Sequence, residues 1–191
     1  MRFLLCGSVT GQGKLRIKEL TLAAIGGALY AVVGYVSYLG LTFYGVRFWP
    51  AVVVPATFAC LYGGLVGGLS AAIGIFISDM ITHGNALLSL TVGVTSNFIG
   101  FYIVGWLAGA EKYSLKRYLI AVTLGLIVGH LIIGLGLLAW SQAFPLPFKE
   151  EVTPLSLDAA LLISFVTFAW EIPFALLLVP PIVSVIRKSV R

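Results

Sequence analysis

Asn97, His130 and Glu171 each interrupt a long apolar run, and together they offer an amide, an imidazole and a carboxylate. An imidazole and a carboxylate at the same depth can form a hydrogen-bonded pair, bind a polar ligand between them, or pass protons. Two assignments stay open for His130 and Glu171: a structural clasp between helices, or a substrate-binding pair. Asn97 belongs to the polar run Thr95-Ser96-Asn97, which either bonds between helices or reaches a ligand. Asp79 lies close to His83 and Asn85 at the end of another run, in an interfacial position.

Other chemistry is missing. A P-loop needs Gly-x4-Gly-Lys-Ser/Thr, and the nearest approach, Ser8 to Leu15, lacks the first glycine and the hydroxyl residue. There is no HExxH or GxSxG, and the two histidines, His83 and His130, fall in different segments, so the chain does not read as an enzyme. Cys6 and Cys60 suit apolar filling rather than a disulfide or a metal site. The formal charge of +5 comes from basic residues scattered at the ends of apolar runs, which argues against nucleic acid as a partner. No cofactor is implied.

The elements that hold these groups must be membrane spans. Only 10% of the 191 residues are charged and 60% are hydrophobic, too few charges for a water-solvated surface. Apolar runs recur at about 20 residues, the length that crosses a hydrocarbon core about 30 Å thick. Lipid is therefore a partner along most of the surface, and the cell membrane is the expected location. The spans read as Leu20–Leu39, Phe48–Tyr62, Leu65–Ile81, Ala86–Ala108, Tyr118–Trp140 and Leu157–Val185. The second and third form one nearly continuous stretch, divided at Gly63-Gly64 because paired glycines favour a turn. At 1.5 Å per residue, His130, Asn97 and Glu171 lie about 15, 16 and 21 Å from the outer ends of their spans. All three are near mid-membrane.

Charge sets the orientation. Six spans put both termini inside, and of the 12 basic residues all but Arg47 and Lys149 then fall in inside segments. Met1–Thr10 shows no signal-peptide pattern, and residues 1–19 read as a cytoplasmic tail of one transmembrane domain, 1–191. Tyr35, Tyr38, Phe43, Tyr44 and Trp49 gather around the first external loop, and Trp140 and Phe144 at the fifth span's exit. They form an interfacial belt or stack on a flat ligand. The external loop Ser141–Ser156 is long enough to act as a lid.

Small residues recur at helical spacing in Ala24-Ile-Gly-Gly-Ala28, Gly64-x3-Gly68-x3-Ala72 and Gly125-x3-Gly129, which lets helices approach closely. In this setting Gly45-Val-Arg-Phe-Trp-Pro-Ala51, followed by Gly63-Gly-Leu-Val-Gly-Gly-Leu-Ser-Ala-Ala-Ile-Gly74 and Ile77-Ser-Asp79, resembles the substrate-binding S components of energy-coupling factor transporters. The likeness covers essentially the whole chain. It implies an all-α membrane bundle that captures a small water-soluble vitamin or vitamin precursor and has no energy source of its own. It also implies, as partners, a transmembrane coupling subunit and two ATPase subunits. The coupling contact would be made through Ala24, Gly27 and Ala28, with no resident metal. By the same resemblance the pocket draws on the later spans and external loops, where Asn85, Asn97, His130, Trp140 and Glu171 fall, with Tyr44 above. The competing expectation is a self-sufficient secondary transporter or channel using Asp79, His130 and Glu171 as a proton path, although no inverted repeat is evident.

Overall fold

A computed structural model describes residues 16–43, 46–147 and 154–189. Within them six helices run in chain order: α1 Ile17–Ser37, α2 Val53–Tyr62, α3 Gly64–Thr82, α4 Ala86–Ala108, α5 Leu115–Ser141 and α6 Leu157–Ser189. All but α2 are long and apolar enough to cross a membrane. Two strands, β1 Thr42–Phe43 and β2 Val46–Arg47, make a small antiparallel hairpin between α1 and α2. They are the only departure from an all-α fold among the described residues.

The second span is shorter than the sequence suggests. A 3-10 turn, Pro50–Val52, leads into the 10 residues of α2, a rise of about 20 Å. Helix α2 is buried by the bundle rather than by lipid, with Pro55, Ala56, Thr57, Ala59, Cys60 and Leu61 all inside. A helix lined by protein need not match the bilayer thickness. The chain turns where the sequence places the break: Gly63 has φ +96°, a conformation that side-chain-bearing residues rarely adopt.

Each long helix buries one stripe. On α6 the inward residues are Ala160, Ile163, Ser164, Thr167, Glu171, Ala175, Val179 and Val183, at spacings of three and four. On α5 His130 falls on the same kind of stripe, between Leu126 and Gly134. Outward positions such as Val36, Phe165 and Leu177 are exposed and apolar, as lipid requires. The end away from the hairpin is tied by Arg187, which donates to the carbonyls of Cys60 and Ala110 and lies over the Tyr113 ring.

Helices α4 and α5 meet backbone to backbone at Gly100 and Gly125. A Cβ on Gly125 would sit 2.5 Å from the Gly100 carbonyl oxygen. Gly125→Ala should therefore cost about 1–3 kcal/mol by overpacking. The cost should be read as a lower melting temperature in detergent, with the lipid-facing Leu124→Ala as the milder comparison.

Candidate functional site: a polar cavity under the hairpin

The hairpin carries Arg47 back over the bundle. Its Nη1 donates to Ser78 Oγ at 3.0 Å and Thr82 Oγ1 at 2.6 Å, and its Nη2 to Asp79 Oδ1 at 3.3 Å. The guanidinium also lies 4.4 Å from the Trp49 ring centroid and 5.9 Å from that of Tyr38. Burial pulls the Arg47 pKa below its ordinary value, and the Asp79 carboxylate pulls it back. Arginine stays charged under such opposition, so the contact is an ion pair. Asp79 Oδ2 accepts from Ser89 Oγ at 2.7 Å. Ser89 opens a π-helical turn, Ser89–Val94, inside α4. Such turns often mark functional positions.

Deeper in the bundle, His130 Nε2 is 3.0 Å from Glu171 Oε2, and its Nδ1 faces the Leu126 carbonyl. Both ring nitrogens thus face oxygens. A ring that donates from Nδ1 to the carbonyl needs one further proton, on the ring or on the carboxyl, to bridge Nε2 and Oε2. Imidazolium with carboxylate and imidazole with carboxylic acid carry the same net charge, zero. Beside them Asn97 is held in one orientation: Nδ2 donates to the Gly93 carbonyl and Oδ1 accepts from the Tyr30 hydroxyl, each at 3.0 Å.

Between these layers lies a cavity lined by polar and apolar groups in separate zones. Arg47, Asp79, Thr82, His83 and Ser89 form its rim, Asn97, Thr167 and Glu171 its inner part, and Ile75, Val92, Ile133 and Leu137 its apolar walls. The centres of water-sized molecules have about 120 Å³ to occupy. One water needs only about 10–15 Å³ on this measure, so the space suits a small organic molecule. A second, smaller hollow of about 20 Å³ shares Asn97, Ile133 and Glu171 and continues to His130. Trp49 closes one wall. Its indole N–H leans toward the Tyr30 hydroxyl but makes no hydrogen bond of ordinary geometry, and no other described residue accepts it. An unsatisfied buried donor costs about 1–3 kcal/mol.

The structure brings together Asn97, Glu171 and, behind Glu171, His130. It does not bring Trp140 or Asn85 to the cavity. Trp140 donates to the Pro145 carbonyl and packs against Phe144, at a centroid distance of 4.8 Å. Asn85 caps α4, accepting from the Leu88 N–H. Tyr44 lies outside the described residues. Asp79 is near the hairpin end, as expected, but buried rather than interfacial. Ala24 and Ala28 are exposed on α1, whereas Gly27 is buried, so the three do not share a face. Sequence reasoning passed over Tyr30, Arg47, Ser89 and Thr167, and held Trp49 only among aromatics that form an interfacial belt or stack on a flat ligand. The available signal was Arg47 itself, a charge in an external loop that also holds Trp49, with Asp79 on the span to follow.

This bundle of apolar helices, with a ligand-sized polar cavity at one end, defines a multi-pass integral membrane protein. The family of ECF transporter substrate-specific components matches residues 18–183, and the chain belongs to it. It is the substrate-specific subunit of an ECF-type importer, a transporter component in a family that is not one of enzymes. The chain is also similar to the UPF0397 protein VSAL_I1988 of Aliivibrio salmonicida (strain LFI1238), 30% identical over 152 residues, covering 76% of this chain and 82% of the relative. A UPF0397 protein of Vibrio atlanticus (strain LGP32), VS_II0189, is 28% identical over 147 residues, covering 75% and 81%. Neither name states a substrate. No solved structure matches the chain.

Breaking the buried pair from one side leaves a polar group without its partner. His130→Phe or Glu171→Met alone should cost about 3–5 kcal/mol, and the double variant less than either single. Denaturation of the detergent-solubilised protein measures all three.

Proposed function

We propose that this subunit captures a small water-soluble vitamin or vitamin precursor in the cavity under the hairpin. It delivers that ligand through a transmembrane coupling subunit driven by two ATPase subunits. The observation that carries this reading is the cavity itself: ligand-sized, walled by apolar side chains, and supplied with a few fixed polar groups, within a chain of the substrate-specific family.

The charge distribution supports a sidedness. Arg16, Lys18, Lys112, Lys116, Arg117, Arg187 and Lys188 lie at the end opposite the hairpin, while Arg47 is the cavity's own. With the positive end cytoplasmic, the cavity faces outward and both termini lie inside. A cysteine introduced at Ala143 should then react with an impermeant maleimide on whole cells, and one at Ser114 only after permeabilisation. Labelling of both from one side would overturn the orientation.

Ala24 and Ala28 present a small, exposed surface on α1, which suits close approach by a partner helix. Ala24→Leu or Ala28→Leu should leave ligand binding within about twofold of wild type and abolish uptake, because the side chain holds the coupling subunit away. Paired binding and uptake measurements decide it. Loss of binding alongside uptake would assign the stripe to internal packing.

A further inference from the structure

The hydroxyl groups that line the cavity have no proton left to give. Thr82 donates to the Ser78 carbonyl at 2.7 Å and Thr167 to the Ile163 carbonyl at 2.6 Å, and a carbonyl can only accept. Ser89 donates to the Asp79 carboxylate at 2.7 Å. Tyr30 donates to Asn97 Oδ1 at 3.0 Å, the amide orientation being fixed by Nδ2 on the Gly93 carbonyl. The Trp49 indole N–H is buried and turned toward Tyr30. The side-chain donors that remain are the second N–H of Asn97 and, at the rim, Arg47 and His83, which both face Asp79.

Against this scarcity of donors stands one open acceptor. Glu171 gives Oε2 to His130, and no described group donates to Oε1. Oε1 is not among the buried atoms left without a partner, so it keeps accessible surface, and Glu171 lines both hollows. Wherever the proton that bridges Nε2 and Oε2 rests, Oε1 carries none and accepts. The inner cavity is therefore a place for a ligand that donates. A ligand hydroxyl brings two lone pairs with its proton, and these would meet oxygens that cannot donate to them. Ammonium, amidinium and ring-conjugated amino groups bring N–H donors and no strong acceptor on the same nitrogen.

We infer that the inner end of the substrate is such a nitrogen donor, and that it gives an N–H to Glu171 Oε1. The inference rests on the cavity being the substrate site of the importer. It makes Glu171 the residue that selects a nitrogen-bearing end over an oxygen-bearing one, while Ile75, Val92, Ile133 and Leu137 take the apolar body of the molecule.

Titration calorimetry on the purified full-length protein, with detergent alone as the blank, tests it with benzylamine, benzamidine and aminopyrazine. Each is paired with a ring of the same size that has no N–H: anisole, acetophenone and methylpyrazine. At least one nitrogen probe should bind at least tenfold more tightly than its counterpart. The double variant His130→Phe/Glu171→Met removes the acceptor together with its partner and should weaken that probe at least tenfold. The wild-type comparison decides the matter even if the double variant does not fold. The inference is overturned if no nitrogen probe exceeds its counterpart tenfold, or if the folded double variant binds the probe within tenfold of wild type. ATP-driven uptake of a compound that has no N–H overturns it and leaves the importer reading standing. Probe binding that depends on Glu171, without uptake in the presence of the partner subunits and ATP, supports it and counts against the importer reading alone.

Discussion

A carboxylate buried in a bundle that faces lipid must find a partner, and the arrangement of this cavity follows from how Glu171 finds His130. The contact at 3.0 Å fixes the phase of α6 against α5, because both residues lie on inward stripes. It leaves one carboxylate oxygen free on the cavity side. Replacing the pair with apolar residues of similar size would cost little stability, as buried pairs often show. Stability alone therefore does not explain two ionisable groups at this depth, and the function proposed above supplies a ligand as the reason.

The rim repeats the same physics with a different geometry. Asp79 near the hairpin end is satisfied by a side chain from outside its own helix, since the hairpin folds Arg47 back over α3. That single residue connects the loop to Ser78, Asp79 and Thr82 and sets the Trp49 ring beside the guanidinium. The rim is thus a closed network, and the inner cavity an open one. Glu171 lies on the inner side, and Trp49 belongs to the rim beside Arg47.

Much of this was legible in the sequence because a bilayer constrains the axial coordinate. Run length and glycine punctuation locate the helices, including the turn at Gly63, and residue counting puts Asn97, His130 and Glu171 at one depth. Depth says nothing of azimuth. Successive helical residues point about 100° apart, so Gly27 faces α3 while Ala28, its neighbour, faces outward. The same limit hid Tyr30, whose hydroxyl reaches across to Asn97, and Thr167, one turn before Glu171 on the inward stripe. Arg47 was missed for another reason, and Trp49 stood open between interfacial belt and ring stacking. As a loop residue Arg47 reads as topology, and only the hairpin's return over the bundle brings both to a cavity. Trp140 fails by the converse: an aromatic residue at the right depth has its N–H taken by the Pro145 carbonyl in the loop beside it.

The most direct measurement is native mass spectrometry of the wild-type protein and Ile133→Trp, both purified from the same membranes. Ile133 lines both hollows, so an indole there fills the space between Asn97 and Glu171 without touching the coupling stripe. If the cavity is the substrate site, wild type carries a single small-molecule adduct and Ile133→Trp does not, at matching melting temperatures. An adduct of equal occupancy on both proteins would contradict that assignment.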